Sequence, residues 1–250
     1  MSTDTFSKFR KTHETMIIAH TGASREAPGN TLLAFEKAVD SGAEMIEFDI
    51  HKTADNQIVV IHDRTTQSTS EVNIDVRTST LEKVKSVHLS HDLRIPTLNE
   101  VFAQFKGKLY FQIEIKQRGI APYVLSLIDQ FDVYDQCVVS SFWHDELQYF
   151  KKSKTPILLA SLEPTIIHVP LQYLLRSWMV RNTINLGLDG FHPKYTLVTP
   201  KLVALAHSRN IFVNTWTADN PKDWKYLLEC GVDGIMTNCP RELYQFLESR

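Results

Sequence analysis

Glu47 and Asp49 stand two residues apart in the run Ile46–Ile50. A β-strand there sends both carboxylates to one face, while Ile46, Phe48 and Ile50 leave the other. Two ionised carboxylates converging beside apolar residues repel each other and lose water. A hard divalent cation that prefers oxygen ligands, magnesium or calcium, is the simplest remedy. A second β-branched run, Ile58–Ile61, ends at His62-Asp63. With Asp55-Asn56 as a two-residue hairpin loop, Ala54 pairs with Gln57 and Asp49 falls opposite His62, which brings an imidazole to the acids. Two further apolar runs end in groups able to bind metal or move protons: Ile18-Ala19-His20 and Ile113-Glu114-Ile115-Lys116. A lone Glu-x-Asp is commonly a solvated strand face, and a structural ion pair is the lesser alternative for Glu114 with Lys116. The recurrence of such residues at strand ends is what points to a site.

The elements that must position these groups can be read from periodicity. Met16–His20 is a short buried strand, followed by the small-residue loop Thr21-Gly22-Ala23-Ser24 and a helix capped by Asn30 or Thr31 and stopped at Gly42. Residues 64–93 are polar and irregular, with a helical signal only over 81–87, and form a long excursion from the scaffold. Thr97-Leu98-Asn99-Glu100 has the form of a capping box and opens a helix through Phe105. Strands over 109–115, 137–140, 157–160, 188–192, 211–216 and 234–237 then alternate with helices over 123–131, 145–151, 199–207, 221–230 and at the C-terminus. The segment 163–187 is either a core helix or a lid, and Tyr173, Leu174, Leu175 and Trp178 are assigned to the core. This alternation predicts an α/β fold, a (β/α)8 barrel with a β-hairpin and loop excursion near its C-terminal mouth. Ile58–Ile61 is left out of the barrel, because its link to the preceding strand is too short for a crossover helix.

Composition bounds the function. The 250 residues are 43% hydrophobic and 22% charged, the balance of an ordinary globular protein: an N-terminal arm over 1–14 and one domain over 15–250. Lys+Arg 27 against Asp+Glu 29 gives a formal charge of −2, which offers no general attraction for nucleic acid or an anionic surface. Cys137, Cys230 and Cys239 lack metal-type spacing and suit a reducing compartment. No secretory signal and no transmembrane segment is legible, so the expectation is cytoplasmic. Of the ten histidines, His20 and His62 are singled out because each ends an apolar run near carboxylates; His192 is a weaker supporting candidate and the others are expected to have no chemical role.

The ordered set His20-Thr21-Gly22-Ala23-Ser24, Ala27-Pro28-Gly29-Asn30-Thr31, Glu47-Phe48-Asp49, Val60-Ile61-His62-Asp63, Ile95–Val101 and Glu114-Ile115-Lys116 resembles the glycerophosphodiester phosphodiesterase family. Ser140-Ser141-Phe142, Trp216-Thr217 and Gly231–Pro240 extend the likeness to roughly residues 16–240. The resemblance implies a TIM barrel with its site at the C-terminal mouth, and one divalent cation (Mg2+ or Ca2+) held by Glu47, Asp49 and Glu114. It also implies an acid/base pair of His20 and His62, with Lys116 beside the phosphate. The implied reaction releases sn-glycerol 3-phosphate and an alcohol from a small glycerophosphodiester. Trp216, at a strand end, either lines the mouth for the glycerol moiety or belongs to the core.

The chain departs from the family pattern twice, with Thr21 where an Arg is usual and Gly29 where a Glu is usual. Loss of that Arg removes a bidentate phosphate contact worth about 1.5–3 kcal/mol. Arg25, in the same loop, is a candidate replacement. Two other readings follow: a lysophospholipase D-type enzyme whose 164–182 stretch grips an acyl chain, and a non-catalytic binder of phosphate ligands weakened by Thr21.

Overall fold

The computed structural model describes residues 14–165 and 168–250; the expected arm over 1–14 lies outside the described residues except for Glu14. In chain order the elements are β1 (Met16–His20), α1 (Leu32–Asp40), β2 (Met45–Lys52), β3 (Ile58–Val60), α2 (Leu81–Lys85), α3 (Leu98–Phe105), β4 (Tyr110–Ile115), α4 (Ala121–Phe131), β5 (Cys137–Ser141), α5 (His144–Lys152), β6 (Leu158–Glu163), α6 (Val169–Asn185), β7 (Gly190–Pro193), α7 (Pro200–His207), β8 (Phe212–Thr215), α8 (Pro221–Cys230), β9 (Gly234–Thr237) and α9 (Pro240–Glu248).

Eight strands pair in parallel in the order β1-β2-β4-β5-β6-β7-β8-β9, and β9 closes back on β1. This is the expected (β/α)8 barrel, with β3 excluded from it. β3 instead runs antiparallel along the part of β2 that outruns β1. Alternation within each strand sorts the side chains. Ile46, Phe48 and Ile50 join Phe111, Val139, Val213 and Ile235 in the main core between sheet and helices, while Ile18, Met45, Tyr110, Val138 and Met236 plug the barrel interior.

Local chemistry sets the ends of the elements. Thr31 caps α1, and Thr97 and Glu100 complete the capping box of α3. Asn220 caps α8, which stops at left-handed Gly231. Among the described residues no helix is long and apolar enough to cross a membrane.

The hairpin differs from expectation by one residue. Lys52 pairs with Ile58 and Ile50 with Val60, and the Ile61 N–H donates to Asp49 O, so Asp49 stands opposite Ile61 rather than His62. The loop has three residues rather than two: Thr53 N–H donates to Gln57 O, and Asn56 takes the left-handed conformation (φ 63°) that such a loop requires. Beyond it the 64–93 excursion carries α2 and packs Val76 and Val84 against Val59, Ile61 and Ile95 in a small core apart from the main one.

The second difference lies in α6. Only Met179, Val180 and Thr183 are buried, whereas Tyr173, Leu174 and Trp178, read from sequence as core, are exposed.

Candidate active site

The parallel register explains why the acids converge. Glu47 on β2 lies beside His20 on β1, and Asp49 lies beside Glu114 on β4, all directed into the barrel mouth. Oxygens of Glu47, Asp49 and Glu114 come within 4.8 Å of one another, and all three residues are buried. Burial, and then the neighbouring Asp49 charge, push the Glu47 carboxyl well above its ordinary range and Glu114 up to about 8. Glu114 Oε1 and Gln112 Oε1 lack a hydrogen-bond donor, although Lys116 Nζ lies 2.5 Å from the former as an ion pair. Lys116 Nζ is also 3.3 Å from Asp49 Oδ1. Burial opposes its charge, but Glu114 and Asp49 outweigh that and raise the ammonium pKa. Three buried acids sharing one lysine resist ionising together and leave oxygen lone pairs unsatisfied. That donor set suits a hard divalent cation.

Each histidine is held from behind. His20 Nδ1 lies 2.8 Å from Asn238 Oδ1, and the Asn238 amide is oriented because its Nδ2 donates to Asp219 Oδ2 at 2.6 Å. Nδ1 therefore carries the proton, which leaves a lone pair on Nε2, 3.9 Å from Glu47 Oε2. Asn238 follows β9 and His20 ends β1, so neighbouring strands deliver the pair. His62 Nδ1 lies 2.8 Å from Asp63 Oδ1, and its Nε2 is 3.3 Å from Lys116 Nζ. By the same logic Nδ1 is the donor, and both imidazoles present Nε2 lone pairs to one cavity. His62 thus reaches the site from the bend after β3, one residue beyond the position opposite Asp49.

A second set of residues fixes the acids. Asn30, itself left-handed (φ 57°), donates Nδ2–H to Asp49 Oδ2 at 2.9 Å and accepts the Asp49 N–H. The Thr21 N–H donates to Glu47 Oε2 at 3.1 Å. Thr21 does so at φ 53°, a conformation that costs a β-branched residue about 1–2 kcal/mol. His51 Nε2 meets the His62 carbonyl at 3.1 Å, and Arg77 from the excursion donates to Lys116 O at 2.7 Å. Burial lowers the His51 pKa to about 4, so it serves as a neutral hydrogen-bonding group.

The cavity, about 290 Å³, is lined by His20, His62, the three acids and Lys116 on one side and by Phe142, Leu162 and Trp216 on the other. Trp216 stacks edge-on to Phe142 at 5.7 Å and donates Nε1–H to His192 O. Arg25 is not part of this lining: its guanidinium lies 3.8 Å from Asp219. Thr21 and Gly29, the two departures, touch each other, and a Cβ at position 29 would collide with Thr21 Oγ1. Thr21 and Gly29 are thus a mutually fitted uncharged pair.

The sequence model of the glycerophosphoryl diester phosphodiesterase family matches residues 20–242. The chain belongs to that family. A glycerophosphodiester phosphodiesterase of Bacillus altitudinis is 34% identical, the alignment covering 90% of this chain and 95% of that protein. A solved chain from Silicibacter pomeroyi superposes with TM-score 0.87 at 21% identity, covering 98% and 97%. A phosphodiesterase of Oleispira antarctica, solved with the product sn-glycerol-3-phosphate, gives 0.81 at 18% identity, covering 98% and 99%. The chain is accordingly an enzyme of the phosphodiesterase class that hydrolyses glycerophosphodiesters.

Asn238, Asp219, Asn30, Asp63 and the supporting role of His51 were not singled out from sequence. Asn30, Asp63 and Asn238 all lie inside segments that carry the family resemblance, which was the available signal.

Proposed function

We propose that the chain hydrolyses small glycerophosphodiesters to sn-glycerol 3-phosphate and an alcohol in a metal-dependent reaction, with a single catalytic domain over 15–250. The observation that carries this reading is the convergence of Glu47, Asp49 and Glu114, from two adjacent strands, between the Nε2 atoms of His20 and His62. The three carboxylates would hold one Mg2+ or Ca2+, which when bound supplies charge neutralisation to the phosphate and polarises its P–O bonds.

The chain's own groups do the rest. Lys116 offers a second cation to the phosphate oxygens. His20 and His62 divide the proton transfers: one accepts at Nε2 the proton of the attacking hydroxyl, and the other, entering protonated at Nε2, gives its proton to the leaving alkoxide. Trp216 and Phe142 give the glycerol and alcohol carbons an apolar wall. Arg25 contributes through Asp219, and so through Asn238 and His20, rather than by contact with phosphate. The product bound in the Oleispira relative and the free, buried Cys137, Cys230 and Cys239, which suit a reducing cytoplasm, agree with this reading.

The test is release of glycerol 3-phosphate from a panel of glycerophosphodiesters with magnesium, calcium or chelator. Turnover with metal, its loss in chelator and its absence in Glu47→Ala are expected. Full turnover in chelator, or in Glu47→Ala, would overturn the proposal. Binding of glycerol 3-phosphate without turnover under any metal would favour the phosphate-binding reading that Thr21 suggests. Early accumulation of a cyclic glycerophosphate would show that the glycerol 2-hydroxyl, rather than water, attacks first.

A further inference from the structure

The first half of α6 is anomalous for a barrel helix. Ser161 Oγ on β6 meets Thr183 Oγ1 at 2.6 Å, which fixes the height of the helix against the sheet. From Ser161 the strand has only about 7 Å left to its end at Glu163, whereas the helix runs about 21 Å from Thr183 back to Val169. Its first nine or so residues therefore stand about 14 Å beyond the rim, on the face where the active-site cavity opens. Burial agrees. Val169 and Tyr173 lie eleven and seven residues before Val180, on the same side of the helix, yet Val180 is buried while Val169 is 58% exposed and Tyr173 is exposed too. On the opposite side Leu171, Leu174 (77% exposed) and Trp178 (50% exposed) are open to solvent.

This tip is apolar around more than half its circumference, unlike the single stripe with which one helix seats on another protein. Residues 164–188 contain no Asp or Glu, while His168, Arg176 and Arg181 are present. An apolar helix tip with aromatic residues, Arg176 able to snorkel and no acid matches the chemistry of an anionic lipid surface. The cavity's apolar wall, Phe142, Leu162 and Trp216, includes β6, the strand that leads into this helix.

We infer that the projecting half of α6 docks the mouth of the barrel onto anionic lipid surfaces. It would place the active site against the headgroups of a bilayer or micelle. Docking requires no turnover, so it stands or falls separately from the proposed hydrolysis.

The experiment is co-sedimentation of the full chain with phosphatidylcholine vesicles, with and without phosphatidylglycerol. Association with the anionic vesicles that weakens with salt is expected. Leu174→Asp combined with Trp178→Ala should reduce partitioning about tenfold or more, while leaving circular dichroism and hydrolysis of a water-soluble glycerophosphodiester unchanged. Failure of the wild-type chain to sediment with anionic vesicles would overturn the inference, as would equal sedimentation of the double variant. A dimer in sedimentation velocity that the double variant dissolves would overturn it too, by showing that a second copy of the chain covers the helix tip.

Discussion

Asn238 reaches His20 across 218 positions of sequence, and its amide can turn only one way because Asp219 accepts from Nδ2. That fixes the imidazole tautomer. Asn238→Ala is expected to lower kcat about 10- to 100-fold with little change in KM, and to alter the pH profile of kcat, a readout that a merely structural role would not move. In the loop that follows β1, Thr21 and Gly29 form a fitted pair. Gly29→Ala should cost about 1–2 kcal/mol by forcing the Thr21 hydroxyl aside. Thr21→Ala combined with Gly29→Ala should cost less than the sum of the single changes, as measured by urea midpoints in a double-mutant cycle. The residues that converge in the candidate site were legible because they sit at the ends of apolar runs. Their partners were not: Asn238 and Asp219 become neighbours of His20 only when β9 closes the barrel on β1.

At the scale of elements, the alternation of periods two and 3.6 predicted every barrel strand and the exclusion of β3, because hydrophobic patterning is dictated by which face is buried. The one-residue error in the hairpin arose where sequence is weakest. Asp55-Asn56 fits a two-residue loop as well as the three-residue loop that forms, and left-handed Asn56 decides between them. The α6 error has a different cause: an apolar helical stretch reads as core whether or not the barrel is tall enough to cover it.

β7 supplies a further test. His192 is fully buried, packs 5.6 Å from the Phe212 ring and leaves both ring nitrogens unpartnered. Burial lowers its pKa to about 3. The unfolded chain, with an ordinary histidine at about 6.5, binds a proton that the folded chain refuses, so stability is lost as pH falls from about 6.5 toward 3. His192→Leu should remove that dependence and two unsatisfied polar atoms. Its advantage over wild type in urea midpoint should therefore grow between pH 7 and pH 5, by an amount on the order of 2 kcal/mol.

For the whole molecule, the site joins parts of unequal robustness. His20, Glu47, Asp49 and Glu114 are anchored on strands of the closed barrel and share its large core. His62 follows β3 at the foot of the excursion, where five buried side chains form a separate small cluster tied to the barrel through the β2–β3 pairing, Arg77 and His51. Segments with few buried contacts open locally at a lower free energy than the global transition. Warming is therefore expected to abolish turnover several degrees below the calorimetric unfolding midpoint, and activity should return fully on cooling from that interval. Coincident loss of both signals would show that the excursion and barrel melt as one. By this division of labour a single flap acts as a thermal fuse, silencing the chemistry while the scaffold survives to restart it.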